Sequence, residues 1–82
     1  MARYFLDYHN DMGVIIDDEG QELPNLDAAR TEARRTIAEG ARDLMAEGGD
    51  GQIKVEVRDK SSVVLRVTAT FLTEQFDDSV YP

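Results

Sequence analysis

The spacing of hydrophobic and polar positions changes twice along this chain of 82 residues, from alternation to a helical period and back again. Arg3-Tyr4-Phe5-Leu6-Asp7-Tyr8 is aromatic and has the composition of a strand. His9-Asn10-Asp11-Met12-Gly13 reads as a turn, because Asn, Asp and Gly accept the backbone angles a turn demands. The β-branched run Val14-Ile15-Ile16 is then the return strand of a hairpin, closed by Asp17-Asp18-Glu19-Gly20. Residues 21–25 are expected to cross toward a helix.

From about Asp27 to Glu47 the period becomes 3.6. Leu26, Ala29, Ala33, Ile37, Gly40 and Leu44 fall on one side of the helical wheel, with Thr31, Arg35, Glu39 and Arg42 opposite. Asp27 is the expected N-cap and Gly48-Gly49 the C-terminal stop. Gly40 sits on the apolar stripe beside alanines, although a mid-helix glycine costs about 1 kcal/mol relative to alanine. The inference is that the helix lies close against a sheet whose aromatic side chains need that space. Arg30, Arg34, Arg35 and Arg42 alternate with Glu32, Glu39 and Asp43 at spacings such as Arg35–Glu39, the pattern of a salt-bridged solvent face.

Alternation returns in Ile53-Lys54-Val55-Glu56-Val57-Arg58 and, apart from Val64, in residues 63–70; Asp59-Lys60-Ser61-Ser62 is the turn between them. The order β-β-α-β-β predicts an α+β fold of two layers: one mainly antiparallel four-stranded sheet with a single helix packed on one face. Tyr4, Leu6, Tyr8, Ile37, Leu44, Val55, Val57, Leu65 and Val67 are the expected core. Residues 1–70 form one domain in this reading, and residues 71–82 a C-terminal tail, partly ordered or flexible.

A domain of this size buries only about 60–65% of the surface its unfolded chain exposes, so the core is marginal. There is no cysteine, which excludes a disulfide framework and thiolate chemistry. No apolar run approaches the roughly 18 residues of a membrane span, the N-terminus has no signal-peptide layout, and a cytoplasmic location is expected. Seventeen acidic against nine basic side chains give a net charge of −8. Up to Ala29 the acids Asp7, Asp11, Asp17, Asp18, Glu19, Glu22 and Asp27 face Arg3 alone. That field repels phosphate backbones and argues against nucleic acid as a partner.

Candidate chemistry is sparse. The single histidine, His9, stands in a turn, and Ser61, Ser62 and Ser79 lie in a turn and the tail, so no nucleophile–base pair is suggested. Asp7-x-His9-x-Asp11, with Asp18 beyond, has the alternating donors of a calcium loop. Met12 stands where such a loop needs glycine, and its terminal bidentate glutamate is missing. The acidic loop of Asp17, Asp18, Glu19 and Glu22 reads as solvated turn chemistry, since a general acid needs burial to raise its pKa. No phosphate-cradling glycine loop or dinucleotide fingerprint occurs, and no cofactor is expected.

Three features together resemble a known family. The chain opens with Met-x-Arg-Tyr-Phe, continues with Asp-x-x-Gly-x-Glu-Leu-x-x-Leu at residues 17–26, and follows with the alanine- and arginine-rich AARTEARR at residues 28–35. In this it resembles a family of short bacterial proteins classed as a domain of unknown function. The resemblance implies that residues 17–26 are the joint between hairpin and helix, and it implies no activity. A second, weaker similarity is to HicB-type antitoxins, which are also acidic with a short sheet before an EA-rich helix. The chain is read as lacking their third strand before the helix and their DNA-binding segment.

The leading expectation is therefore a non-enzymatic domain that binds a protein or self-associates as a homodimer. Ala38, Ala41 and Met45 form a second small stripe beside the core stripe, and Phe5 and Val64 point away from the core face of their strands. The alternatives are an antitoxin-like binder of a basic protein, and a small-ligand or metal binder using the acidic loop or Asp7, His9 and Asp11.

Overall fold

The computed structural model describes residues 1–76. Six elements follow one another: β1 (Ala2–Asn10), β2 (Gly13–Ile15), β3 (Gln21–Leu23), α1 (Leu26–Glu47), β4 (Gly51–Arg58) and β5 (Val63–Phe71). The strands form one antiparallel sheet in the order β2-β1-β4-β5, with β3 also paired to β1. The helix covers one face, so the α+β architecture of a single helix on a sheet stands as expected.

The sheet has five strands rather than four. The crossing segment is a strand, with Gln21 opposite Tyr4, Glu22 opposite Arg3 and Leu23 opposite Ala2. Three residues carry too little alternation to announce a strand; the pairing comes from the preceding turn, which swings the chain back along β1. The chain accordingly has three strands before the helix, so the absence of a third strand drops out of its contrast with HicB-type antitoxins.

Alternation in β4 buries Ile53, Val55 and Val57 completely or nearly so, and the helix contributes Ala29, Ala33 and Ile37 to the same core. Tyr4, Leu6, Tyr8, Leu44, Leu65 and Val67 pack against it, which is where the periodicity had placed them. Small residues let the helix approach. A Cβ on Gly40 would stand 2.5 Å from the Tyr8 hydroxyl and 3.3 Å from its ring, so the tyrosine occupies the space the glycine leaves. Ala41 also turns inward against the core, whereas Met45 is more than half exposed.

Two details of the helix differ from expectation. Its N-cap is Asn25, whose Oδ1 accepts from the Ala28 amide at 2.9 Å; Asp27 lies inside the first turn, 3.5 Å from Arg30. Extended backbone at Asn25 after Pro24 sets the start two residues earlier, because the residue ahead of the first helical turn must itself be non-helical. Arg35 meets Glu32 at 2.8 Å in place of the expected Glu39. At the other end Gly48 adopts φ 78°, donates to Met45 O, and Gly49 donates to Leu44 O, the paired bonds that close a helix on a left-handed glycine.

Candidate functional site

Sheets end in unpaired backbone, and the two sides of this sheet treat it differently. On the β1 side, β2 covers Tyr8, His9 and Asn10, while β3 covers Ala2, Arg3 and Tyr4. Between them the Leu6 amide would be left without a partner. The Asp17 carboxylate fills that gap: its Oδ2 accepts from Leu6 N at 3.0 Å. Its Oδ1 accepts from Glu19 N at 3.1 Å and Gly20 N at 2.9 Å, which winds residues 17–20 into a tight turn. Gly20 has φ +71°, and a Cβ there would lie 2.9 Å from the Phe5 ring and from Tyr4 O. The Asp-x-x-Gly pattern thus has a physical meaning: an acceptor that replaces a strand, and a glycine that lets the turn sit on Phe5.

Asp7 locks this turn to the far side of β1. It is the buried charged residue of the described chain, 5% exposed. Its Oδ1 accepts from Asp17 N at 2.9 Å, and its two oxygens accept from Arg58 Nε at 2.6 Å and Nη2 at 3.1 Å. Arg58 also donates to Asp17 O at 2.9 Å and lies 4.8 Å from the centre of the Phe5 ring. The bidentate pair with Arg58 holds the Asp7 carboxyl below the usual aspartate range, against the opposing effect of burial. Burial also opposes ionisation of Asp17, but the amides of Gly20, Leu6 and Glu19 outweigh it and its pKa is lowered too.

Asp7 and Asp17 are therefore not solvated turn carboxylates. Both are anions consumed by structural hydrogen bonds, whereas Asp18, Glu19 and Glu22 are exposed, with Glu22 beside Arg3. Asp7, His9 and Asp11 do not converge either. Asp7 faces Arg58, and His9 Nε2 stands 3.1 Å from Glu56 Oε1 without hydrogen-bond geometry. Asp11 instead lines a cleft of about 280 Å³ on the helix side, with Tyr8, Asp43 and Glu47. Among the described residues no group of three His, Asp or Glu gathers as a metal site.

The opposite side of the sheet ends in β5, which pairs with β4 from Val63 to Phe71. Among the described residues its outer edge has no strand beside it. The helix does not reach over this edge. An open groove remains between them, lined by Thr31, Arg34, Arg35 and Ala38 on the helix and Val67 and Ala69 on the strand. Of the residues singled out for interaction, Ala38 lines this groove and Val64 is 37% exposed at a bulge near the start of β5. Met45, seven positions after Ala38, shares its flank of the helix. Phe5 is not available in the same way, being covered by Gly20 and Arg58.

Arg58 and the free edge were the features that sequence alone did not disclose. Arg58 reaches its partners across 51 and 41 positions of chain, and no local pattern signals that. Which strand ends the sheet depends on strand order, which alternation leaves open.

No helix among the described residues is long and apolar enough to cross a membrane. Neither the curated proteins nor the solved structures yield a match to this chain. A family profile matches residues 3–70, from the first strand through all but the last residue of β5, and the chain belongs to that family, a domain of unknown function (DUF6894).

Proposed function

We propose that this chain is a non-enzymatic protein-interaction domain whose working surface is the outer edge of β5 together with the groove between β5 and α1. One observation carries the reading. On the β1 side the Asp17 loop fills the gap between the short strands β2 and β3, whereas the nine-residue β5 has no strand on its outer side among the described residues. A strand edge of that length is a ready template for a partner's strand, and proteins usually guard such edges with lysine, proline or inward-pointing charge. β5 contains no lysine or proline, and its helix-facing side chains Leu65, Val67 and Ala69 are all apolar. Among the described residues its protective features are a bulge near Val64 and the single charge of Arg66, which is paired with Glu56.

The state of the acids supports a non-catalytic role. Asp7 and Asp17 have lowered pKa values, which suits anions that hold structure and opposes proton transfer near neutral pH. The acidic-loop reading draws the least support, because Asp17 already accepts three backbone amides. An antitoxin-like grip on a basic protein draws on the net charge of −8, but the flank beside β5 presents Arg34 and Arg35.

The test compares edges. Any partner recovered by the full chain from its native cells should be lost with Thr68→Lys on β5 and kept with Ile15→Lys on β2. Loss with Ile15→Lys and retention with Thr68→Lys would overturn the assignment of the surface.

A further inference from the structure

Resting on that reading of β5, we infer that the strand it accepts is β5 of a second copy, paired antiparallel about a two-fold axis through Thr68. The regular ladder with β4 covers residues 65–71, beyond the bulge, and Thr68 is its midpoint. Pairing these seven residues with themselves places Leu65 opposite Phe71, Val67 opposite Ala69, and Thr68 opposite Thr68. The first two pairs lie on the helix-covered side and are wholly apolar. Arg66 falls opposite Thr70, so no like charges meet across the seam, and Arg66 already has Glu56 of its own chain as a partner. Threonine pairs and aliphatic–aromatic pairs are favourable cross-strand neighbours.

Two further observations favour a copy of this chain over an unrelated strand. The same register carries Leu72 of one copy alongside Val64 of the other, and these are 73% and 37% exposed in the single chain. A chain of net charge −8 repels itself, yet β5 has no acidic residue, and the helix flank beside it, from Thr31 through Arg34 and Arg35 to Ala38, contributes none to the groove. Repulsion between acidic groups is thus small along this edge. The two-fold stands normal to the sheet, so both helices lie on one side and the doubled sheet runs on from one copy to the other.

Sedimentation equilibrium of the full chain over a range of concentrations tests this. The expected mass at high concentration is twice the 9.2 kDa of one chain. Thr68→Lys sets two ammonium groups against each other at the axis and should weaken dimerisation about tenfold or more. Thr68→Glu should do the same, and mixing the two variants should restore a dimer of one copy each. Ile15→Lys, on the other edge, should leave the dimer as it is. A wild-type chain that stays monomeric throughout overturns the second copy as occupant; if Thr68→Lys nevertheless abolishes capture of another protein, β5 remains the interaction edge. A dimer that survives both Thr68 variants, or a mixture that fails to restore it, overturns the register. A dimer lost only with Ile15→Lys overturns β5 itself.

Discussion

The two sides of the sheet pose the same physical problem and answer it differently. Beside β1, a carboxylate, a tight turn and a buried ion pair satisfy the backbone that β2 and β3 leave uncovered. Beside β5, nothing in residues 1–76 performs that task, although the strand is longer than β2 and β3 together. The difference shows what the acidic joint is for. Asp17 and Asp7 are consumed in filling the gap between β2 and β3, while Asp18, Glu19 and Glu22 stay exposed.

This comparison can be broken from several directions. The largest expected effect comes from the core that both sides share. Ile37→Ala should cost roughly 2–5 kcal/mol, a large share of a small domain's stability, in a denaturant or thermal melt. An unchanged melt would mean that α1 does not press on β4 as described.

Next come the two close approaches made possible by glycine. Gly20→Ala combines a left-handed backbone with a Cβ driven into the Phe5 ring and Tyr4 O, and should destabilise by about 1–3 kcal/mol. Gly40→Leu should cost a similar 1–3 kcal/mol or so by overpacking Tyr8, despite the better helix propensity of leucine. A rise in melting temperature for either would contradict the geometry.

The acid limb offers a finer probe of the closed edge. Asp7 and Asp17 ionise below the ordinary value of 3.8 in the folded chain, so near and below that pH the unfolded chain binds more protons. Their stabilisation is complete above about pH 5 and falls away as pH drops through the lowered native values. Asp7→Asn should therefore lower stability near neutral pH by about 1–3 kcal/mol and flatten the loss on acidification. An acid limb of unaltered slope would show that Asp7 does not carry it.

Thr68→Lys should have the smallest effect on the single chain, within about 0.5 kcal/mol, since Thr68 is exposed on the outer strand. Its predicted influence is on association alone, and a large stability loss would blur the contrast between the two edges.

Much of the fold could be read from spacing. The helix stripe, the alternation of β4 and β5 and the aromatic β1 pointed to the observed core, and Gly40 to a close contact, because each depends on neighbours a few positions apart. The Asp17 to Leu26 motif was recognisable as a joint. Its bonding was not, because the partners of Asp17 are the amide of Leu6 and the side chain and guanidinium around Asp7 and Arg58, brought together only by strand order. For the same reason Val64 and Ala38 could be named as spare apolar groups, while the edge that unites them could not.

The most direct test follows amide hydrogen exchange at both edges as the protein concentration rises. The Leu6 amide, capped by Asp17, should be protected at every concentration. The amides of residues 65–71 that do not bond to β4 should exchange freely in dilute solution and become protected as the second copy docks. Outer β5 amides that remain unprotected at high concentration, or a Leu6 amide that exchanges as readily as they do, would contradict the account of a filled gap beside β1 and an open edge at β5.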